Sequence, residues 1–290
     1  MANIKDLKKK IKSTKNTLKI TSAMKLVSAA KLARAQSNIL NSRPYSDEVF
    51  KMIKVASALA SDYEHDYFHS HTDSGKSLLL VISANKGLCG NYNGQLAKKV
   101  KSFVGEYGKD NLKVEFIGKK VKELVQNDVN PGELYSFETM EPTLDDIQSL
   151  AAKYSDLFCS GEYQNVYVAY NKFNSAISFD STVSQVLPIE LAEAEKEELA
   201  KEFAFDFRYE PNVNEILDKL VPEAFTSTVY TCLLDGLASE HGSRMAAMDN
   251  ATRNCKDAIK KLTLYMNKLR QAAITTELIE VVSGAESLKG

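Results

Sequence analysis

The sequence predicts an α/β protein in which a sheet domain is inserted between two long helices. Three observations carry this reading. First, all six prolines lie between Pro44 and Pro222, and glycine is absent from residues 1–74 and 243–283. Both ends of the chain therefore lack helix breakers over long distances. Second, an apolar stripe with heptad spacing runs through the C-terminal end. Third, short apolar runs alternate with helical patterns in between, as in α/β domains with a largely parallel sheet.

The N-terminal helix is read from about Ile4 to Ala60. Ile4, Leu7, Ile11 and Leu18 fall at steps of 3, 4 and 7, and a second stripe follows through Ile20, Met24 and Val27. Ala23, Ala29, Ala30 and Ala33 lie alongside, and small residues let another helix approach closely. Pro44 is expected to kink this helix or to start a second segment, because its ring clashes with the preceding turn. In the middle, Ser77–Ile82, Lys113–Ile117, Leu134–Phe137, Val166–Tyr170 and Thr182–Leu187 read as strands. Tyr92–Val104, Lys119–Gln126 and Thr143–Phe158 read as helices, and the acidic residues 190–202 as an exposed helix or excursion.

The C-terminal stripe is Leu237, His241, Met245, Met248, Thr252, Cys255, Ile259, Leu262, Met266, Leu269 and Ala273. Its alternation of steps of 3 and 4 is the mark of a left-handed coiled coil. A helix from Glu223 to Ser283 would be about 90 Å long at ~1.5 Å per residue. A compact domain of this chain length has a radius of gyration of only about 19 Å. The helix is therefore expected to reach far beyond a globular body, with Ser283-Gly284 as its stop signal. The expected architecture is a long antiparallel two-helix coiled coil with an inserted α/β, Rossmann-like domain. Its parts are residues 1–60, 61–211 and 212–290.

Composition narrows the function. The formal net charge is −1, so the chain is not a generic nucleic-acid binder. That balance hides a division. Residues 1–54 hold 13 Lys or Arg against 3 Asp or Glu, whereas residues 55–231 hold 16 against 28. Such asymmetry suggests an interaction surface at one end. There is no apolar run long enough to span a bilayer and no secretory h-region at the N-terminus. Cys89, Cys159, Cys232 and Cys255 are far apart, which argues against a disulfide scaffold or zinc knuckle.

No motif forms an obvious catalytic constellation. Gly75-Lys76-Ser77 has Ser70 where a phosphate-binding loop needs glycine, and it precedes a strand instead of opening a helix. His65, Asp66, His69 and His71 are metal-ligand types, but they fit a polar loop as well. The turn Ser83–Gly90 follows the first strand and could present backbone N–H groups to an anion, or Cys89 as a nucleophile. A tight turn requiring glycine is the simpler account. The residues alone leave open a coiled-coil adaptor or scaffold with an acidic partner, and an α/β enzyme working at that turn.

Residues 10–36 (KIKSTKNTLKITSAMKLVSAAKLARAQ) resemble the N-terminal helix of the gamma subunits of rotary F-type ATP synthases. NKGLCGNYN (85–93) resembles that family's D-R-G-L-C-G turn. Residues 238–255 and 267–288 resemble its C-terminal signature. The resemblance implies a bacterial, non-catalytic central shaft, peripheral at the cytoplasmic face of the cell membrane. The implied partners are three alpha and three beta subunits, an epsilon subunit and the membrane c-ring. ATP, ADP and Mg would bind alpha and beta, with no cofactor or metal on this chain. Proton flow would supply about 2.3 kcal/mol per charge per 100 mV.

The resemblance also implies roles for residues. Met24 and Lys25 match a position that meets an acidic lever on beta, with Lys15, Lys19 and Lys31 as basic neighbours. Arg270, Gln271, Thr275 and Glu277 match a catch that hydrogen-bonds a beta loop. Arg244 is implied to brace the two helices or to touch the stator. Ile279, Val281, Val282 and Leu288 would turn in an apolar sleeve, where non-directional contact resists rotation little. Lys86, Gly87, Leu88, Cys89 and Gly90 form the turn near the lower stator, and Tyr209, Glu210 and Pro211 the foot at the c-ring. Two departures stand out. Asn85-Lys86 replaces the family's acidic–Arg pair, so a bidentate contact is reduced to a point charge. Gly242 falls inside the long helix, where it costs about 1 kcal/mol relative to alanine.

Overall fold

The computed structural model describes residues 4–59, 65–72, 75–137, 142–189, 210 and 212–287. The expected features at 190–202, and at Tyr209, Pro211 and Leu288, lie outside them. Among the described residues, five α-helices and five strands follow in the order α1 (Ile4–Leu59), β1 (Ser77–Ile82), α2 (Tyr92–Tyr107), β2 (Leu112–Ile117), α3 (Lys119–Val125), β3 (Asn130–Tyr135), α4 (Leu144–Cys159), β4 (Asn165–Ser175), β5 (Ser178–Leu187) and α5 (Val213–Ser287). The described chain divides into two compact units, residues 1–29 with 244–290 and residues 30–243. α1 and α5 contribute to both.

In the first unit the two helices pair along complementary stripes. On α5 the expected positions from Met245 to Ala273 are all buried or half-buried. On α1 the seam runs through Ile4, Leu7, Ile11, Thr14, Leu18, Thr21, Lys25 and Ser28, in alternating steps of 3 and 4. The expected second stripe is corrected here. Ile20 and Val27 are exposed at 60% and 58%, and the seam instead takes the polar residues Thr21, Lys25 and Ser28. Heptad phase, established by Ile4 to Leu18, outweighs local hydrophobicity, because a switch of stripe would rotate the whole helix. The Thr252 hydroxyl lies 3.0 Å from that of Thr21, and both side chains are buried.

In the second unit the sheet has the order β3-β2-β1-β4-β5. β1, β2, β3 and β4 are parallel, and β5 returns antiparallel on β4. β1 is central, and all six of its residues are buried, as expected for a strand covered on both faces. Leu79 and Val81 point to α2 and α3, packing with Leu96, Val100, Val121 and Val125. Leu78, Leu80 and Ile82 point to the opposite face, with Ile147, Tyr154 and Phe158 of α4. That face also takes Val49 and Ile53 from α1, and Leu217, Val221, Phe225 and Val229 from α5. Thr143 caps α4 reciprocally with Asp146.

α1 runs as one helix through Pro44, close to the expected Ile4–Ala60, and two other elements differ from the sequence reading. Pro44 is exposed, so water can satisfy the carbonyl its ring leaves without a donor. α5 begins before Pro222 and continues past Gly284, so neither breaker terminates it. Strand β3 is Asn130–Tyr135 and not Leu134–Phe137, because it lies at the sheet edge where proline at 131 is tolerated.

Candidate functional site

The turn after β1 is held from three sides. The Ser83 backbone N–H donates to the Ile117 carbonyl at 2.7 Å, and its hydroxyl donates to the Gly118 carbonyl at 3.0 Å. Lys120 N–H donates to the Ala84 carbonyl at 3.1 Å, so the β2–α3 turn supports the β1–α2 turn. Lys86, Gly87, Leu88 and Gly90 are exposed, whereas Cys89 is buried between Ala84, Tyr92 and Phe179. Leu88 has a φ of 62° although it is not glycine, and it holds its side chain 64% exposed. An aliphatic side chain in the left-handed region is strained, and such strain persists only where the surroundings enforce it.

Cys89 is not presented as a nucleophile. Its Sγ accepts from the Asn93 side-chain amide at 3.1 Å and faces the Lys86 carbonyl at 3.8 Å. Its carbonyl accepts from the Ser243 hydroxyl of α5 at 2.6 Å. Gly242, unexplained by the sequence alone, is now accounted for. A Cβ there would lie 2.7 Å from the Ala176 carbonyl oxygen at the tip of the β4–β5 hairpin. The helical cost of this glycine is offset by close approach of the hairpin backbone.

Of the histidines expected as metal-ligand candidates, His65 and His71 have other engagements. His65 Nδ1 accepts from the Tyr67 N–H at 3.1 Å, and His71 Nε2 lies 2.7 Å from the Asp66 carbonyl. Among the described residues no group of three or more His, Cys, Asp or Glu side chains could hold a metal ion.

In the helical unit, Lys25 Nζ lies 2.6 Å from Asp249 Oδ1, and Arg253 approaches the other oxygen at 2.8 Å. Asp249 was missed in the sequence. Its signal was present, one residue after the stripe position Met248, but only pairing identifies its partner. The bond from Lys25 holds the Asp249 carboxyl below the usual carboxylate range. This contribution is complete above the ordinary carboxylate pKa and is lost as pH falls through the lowered value. We expect acid to weaken pairing of the helices in wild type more than in Asp249→Asn, read as the difference in helical circular dichroism between neutral and acid pH. Equal acid sensitivity would refute the assignment.

Met24 is half-buried beside Lys25, and Arg244 is buried. Arg270, Gln271, Thr275 and Glu277 are all exposed. Spacings of 4 and 7 place Gln271 beside Thr275 and Arg270 in line with Glu277. Beyond Ala273 every residue of α5 through Ala285 is exposed, including Ile274, Leu278, Ile279, Val281 and Val282. Glu210 is exposed. No described helix is long and apolar enough to cross a membrane.

One unit is thus a pair of long helices in heptad register, and the other a five-stranded, mostly parallel sheet covered by helices on both faces. The model of the family described as ATP synthase matches residues 3–288. The ATP synthase gamma chain of Geotalea daltonii is 40% identical over 292 residues, covering 100% of both chains. That of Flavobacterium psychrophilum is 36% identical over 290 residues, again covering 100% of both. Among solved structures, a chain of the central stalk and c-ring of Tetrahymena thermophila mitochondrial ATP synthase is 26% identical, with a TM-score of 0.60. The match covers 80% of this chain and 99% of that one. A chain from Euglena gracilis mitochondrial ATP synthase shares the fold at 16% identity, with a TM-score of 0.62 over 98% of this chain and 94% of that one. The chain belongs to the ATP synthase gamma chain family, whose members are non-catalytic subunits of the central stalk.

Proposed function

We propose that this chain is the central rotor shaft of a proton-translocating F-type ATP synthase. It couples rotation of a membrane c-ring to the conformational cycle of three catalytic beta subunits, held with three alpha subunits. The observation that carries this is the run of exposed apolar side chains on α5 beyond Ala273, on the helix that pairs in register with α1. Residues 1–60 and 212–290 serve as the shaft, and 61–211 as the body. ATP, ADP and Mg bind the alpha and beta partners, and the assembly sits at the cytoplasmic face of the cell membrane.

Exposure and charge support the residue roles that the resemblance implies. Exposed Arg270, Gln271, Thr275 and Glu277 offer hydrogen bonds to a beta loop. Ile279, Val281 and Val282 supply the sliding apolar surface, with Leu288. Met24 and Lys25 form the lever contact, in which Lys25 shares its charge between Asp249 and the partner. Burial of Arg244 supports bracing of the helices over contact with the stator. The exposed turn Lys86–Leu88, with Cys89 and Gly90 fixing its shape, faces the lower stator. Tyr209, Glu210 and Pro211 form the foot near the c-ring and the epsilon subunit.

Two measurements test this. Native mass spectrometry of the solubilised complex, with an affinity tag within residues 190–202, should give one copy of this chain with three each of two nucleotide-binding subunits. A homodimer, or a lone chain with an unrelated partner, would put the adaptor reading in its place. In the assembled complex, Arg270→Ala or Gln271→Ala should each lower ATP synthesis and hydrolysis by about tenfold, the loss of a charge-assisted or buried interfacial hydrogen bond. Unchanged rates in both would remove the catch.

A further inference from the structure

Inside the sheet-bearing unit, α5 places the small residues Gly236, Ser239, Gly242 and Ser243 within about two turns. Earlier in the helix, Leu217, Val221, Phe225 and Val229 meet the core of the sheet domain through apolar contact, before Cys232 hydrogen-bonds Tyr170 of β4. Apolar contact is non-directional and offers weak resistance to sliding or rotation. From Gly236 onward the contacts change character. The Tyr92 hydroxyl donates to the Gly236 carbonyl at 3.0 Å. The Ser239 hydroxyl donates to the Asn171 carbonyl of β4 at 2.9 Å, and the Ser243 hydroxyl to the Cys89 carbonyl at 2.6 Å. At Gly242 the backbone of the β4–β5 hairpin closes against the helix at Ala176.

The receiving groups are themselves braced. The Asn171 side-chain amide donates to the Tyr92 carbonyl at 3.2 Å and its oxygen accepts from Ser181 at 2.6 Å. Asn171 is fully buried, and Tyr92 and Ser239 nearly so. The helix is thus met at three successive points by groups that belong to one polar network.

We propose that Gly236, Ser239, Gly242 and Ser243 form a key that locks α5 to the sheet domain against rotational slip, so that torque passes between the body and the helix. The inference rests on the shaft reading. The hydroxyls and the glycine backbone are positioning groups that fix the angle of α5, and they touch no substrate. A rotation of α5 about its axis would break the hydrogen bonds together and drive the helix into the hairpin at Gly242.

The test uses the complete membrane complex carrying Ser239→Ala with Ser243→Ala, assayed for ATP hydrolysis and for ATP-driven proton pumping into vesicles. Removing two hydrogen bonds favours the slipped arrangement about thirtyfold. Pumping per ATP hydrolysed should therefore fall by about threefold or more under load, with hydrolysis changed less than about twofold. Ser243→Thr, which keeps the hydroxyl, should retain the wild-type ratio. A merely structural role would lower assembly and both rates together, with the ratio unchanged, and that result would overturn the key. Absence of the wild-type chain from the nucleotide-binding complex would overturn the shaft reading and the key with it.

Discussion

Gly118→Ala is expected to destabilise the sheet-bearing unit by about 4 kcal/mol, combining left-handed strain with overpacking. Gly118 has a φ of 88°, and a Cβ there would lie 2.0 Å from the Ser83 carbonyl oxygen. Backbone cannot yield as a side-chain tip can. Relief requires the turn after β2 to separate from the turn after β1, breaking the bonds from Ser83 to Ile117 and Gly118. The exposed Lys86–Leu88 surface would lose its support without being touched. Thermal unfolding of the full chain gives the stability, and hydrogen exchange of amides 83–92 locates the loss. A variant within about 1 kcal/mol of wild type would show that this turn relaxes freely, against expectation for a clash with backbone.

Glu115→Ala should cost about 3 kcal/mol, because it leaves buried donors without their acceptor. Glu115 lies on β2 and is 7% exposed. Its carboxyl accepts from the Tyr154 hydroxyl at 2.9 Å and also from Tyr135, which in turn accepts from Lys153 at 2.7 Å. Lys153 continues to Glu133 at 2.8 Å. Burial, then the bond to Glu115, pushes the Tyr135 phenol up to about 12. Burial and the charge of Glu115 raise Tyr154 well above the ordinary range. Both phenols therefore stay protonated and donate throughout neutral pH. This cluster ties edge strand β3 to α4 through polar bonds. Glu115→Gln keeps an acceptor and should lose about half as much. Calorimetric melting of both variants measures this, and an equal loss would show that the charge, and not the acceptor, matters.

Much of this was legible in the residues. The α5 stripe from Met245 to Ala273 was readable because heptad spacing is a local, repeated signal, and every position is covered as expected. β1 was readable because a strand buried on both faces is a continuous apolar run. On α1 the reading followed hydrophobicity to Ile20 and Val27 and missed the seam, since Thr21, Lys25 and Ser28 carry no apolar signature. Their burial depends on the partner helix, and the Lys25–Asp249 pair joins residues 224 apart in sequence. Gly242 was visible as an anomaly but not explicable, because its reason is the Ala176 backbone, far away in the chain. The Glu115 cluster was invisible for the same cause. Tyr135, Lys153 and Tyr154 come from two later elements and show no periodic relation to β2.

The polar seam of the helix pair has a consequence for timing. A purely aliphatic seam would be nearly as content one heptad out of step, since one leucine layer packs much like the next. Thr21 against Thr252 and Lys25 against Asp249 break that degeneracy, in the way single polar positions fix alignment in other coiled coils. Displacement by one repeat strands a buried hydroxyl and separates a charge from its counterpart. The pair of helices therefore has one setting and not a ladder of near-equal ones. Like the index mark on a camshaft, the seam gives every angle at one end a single reading at the other.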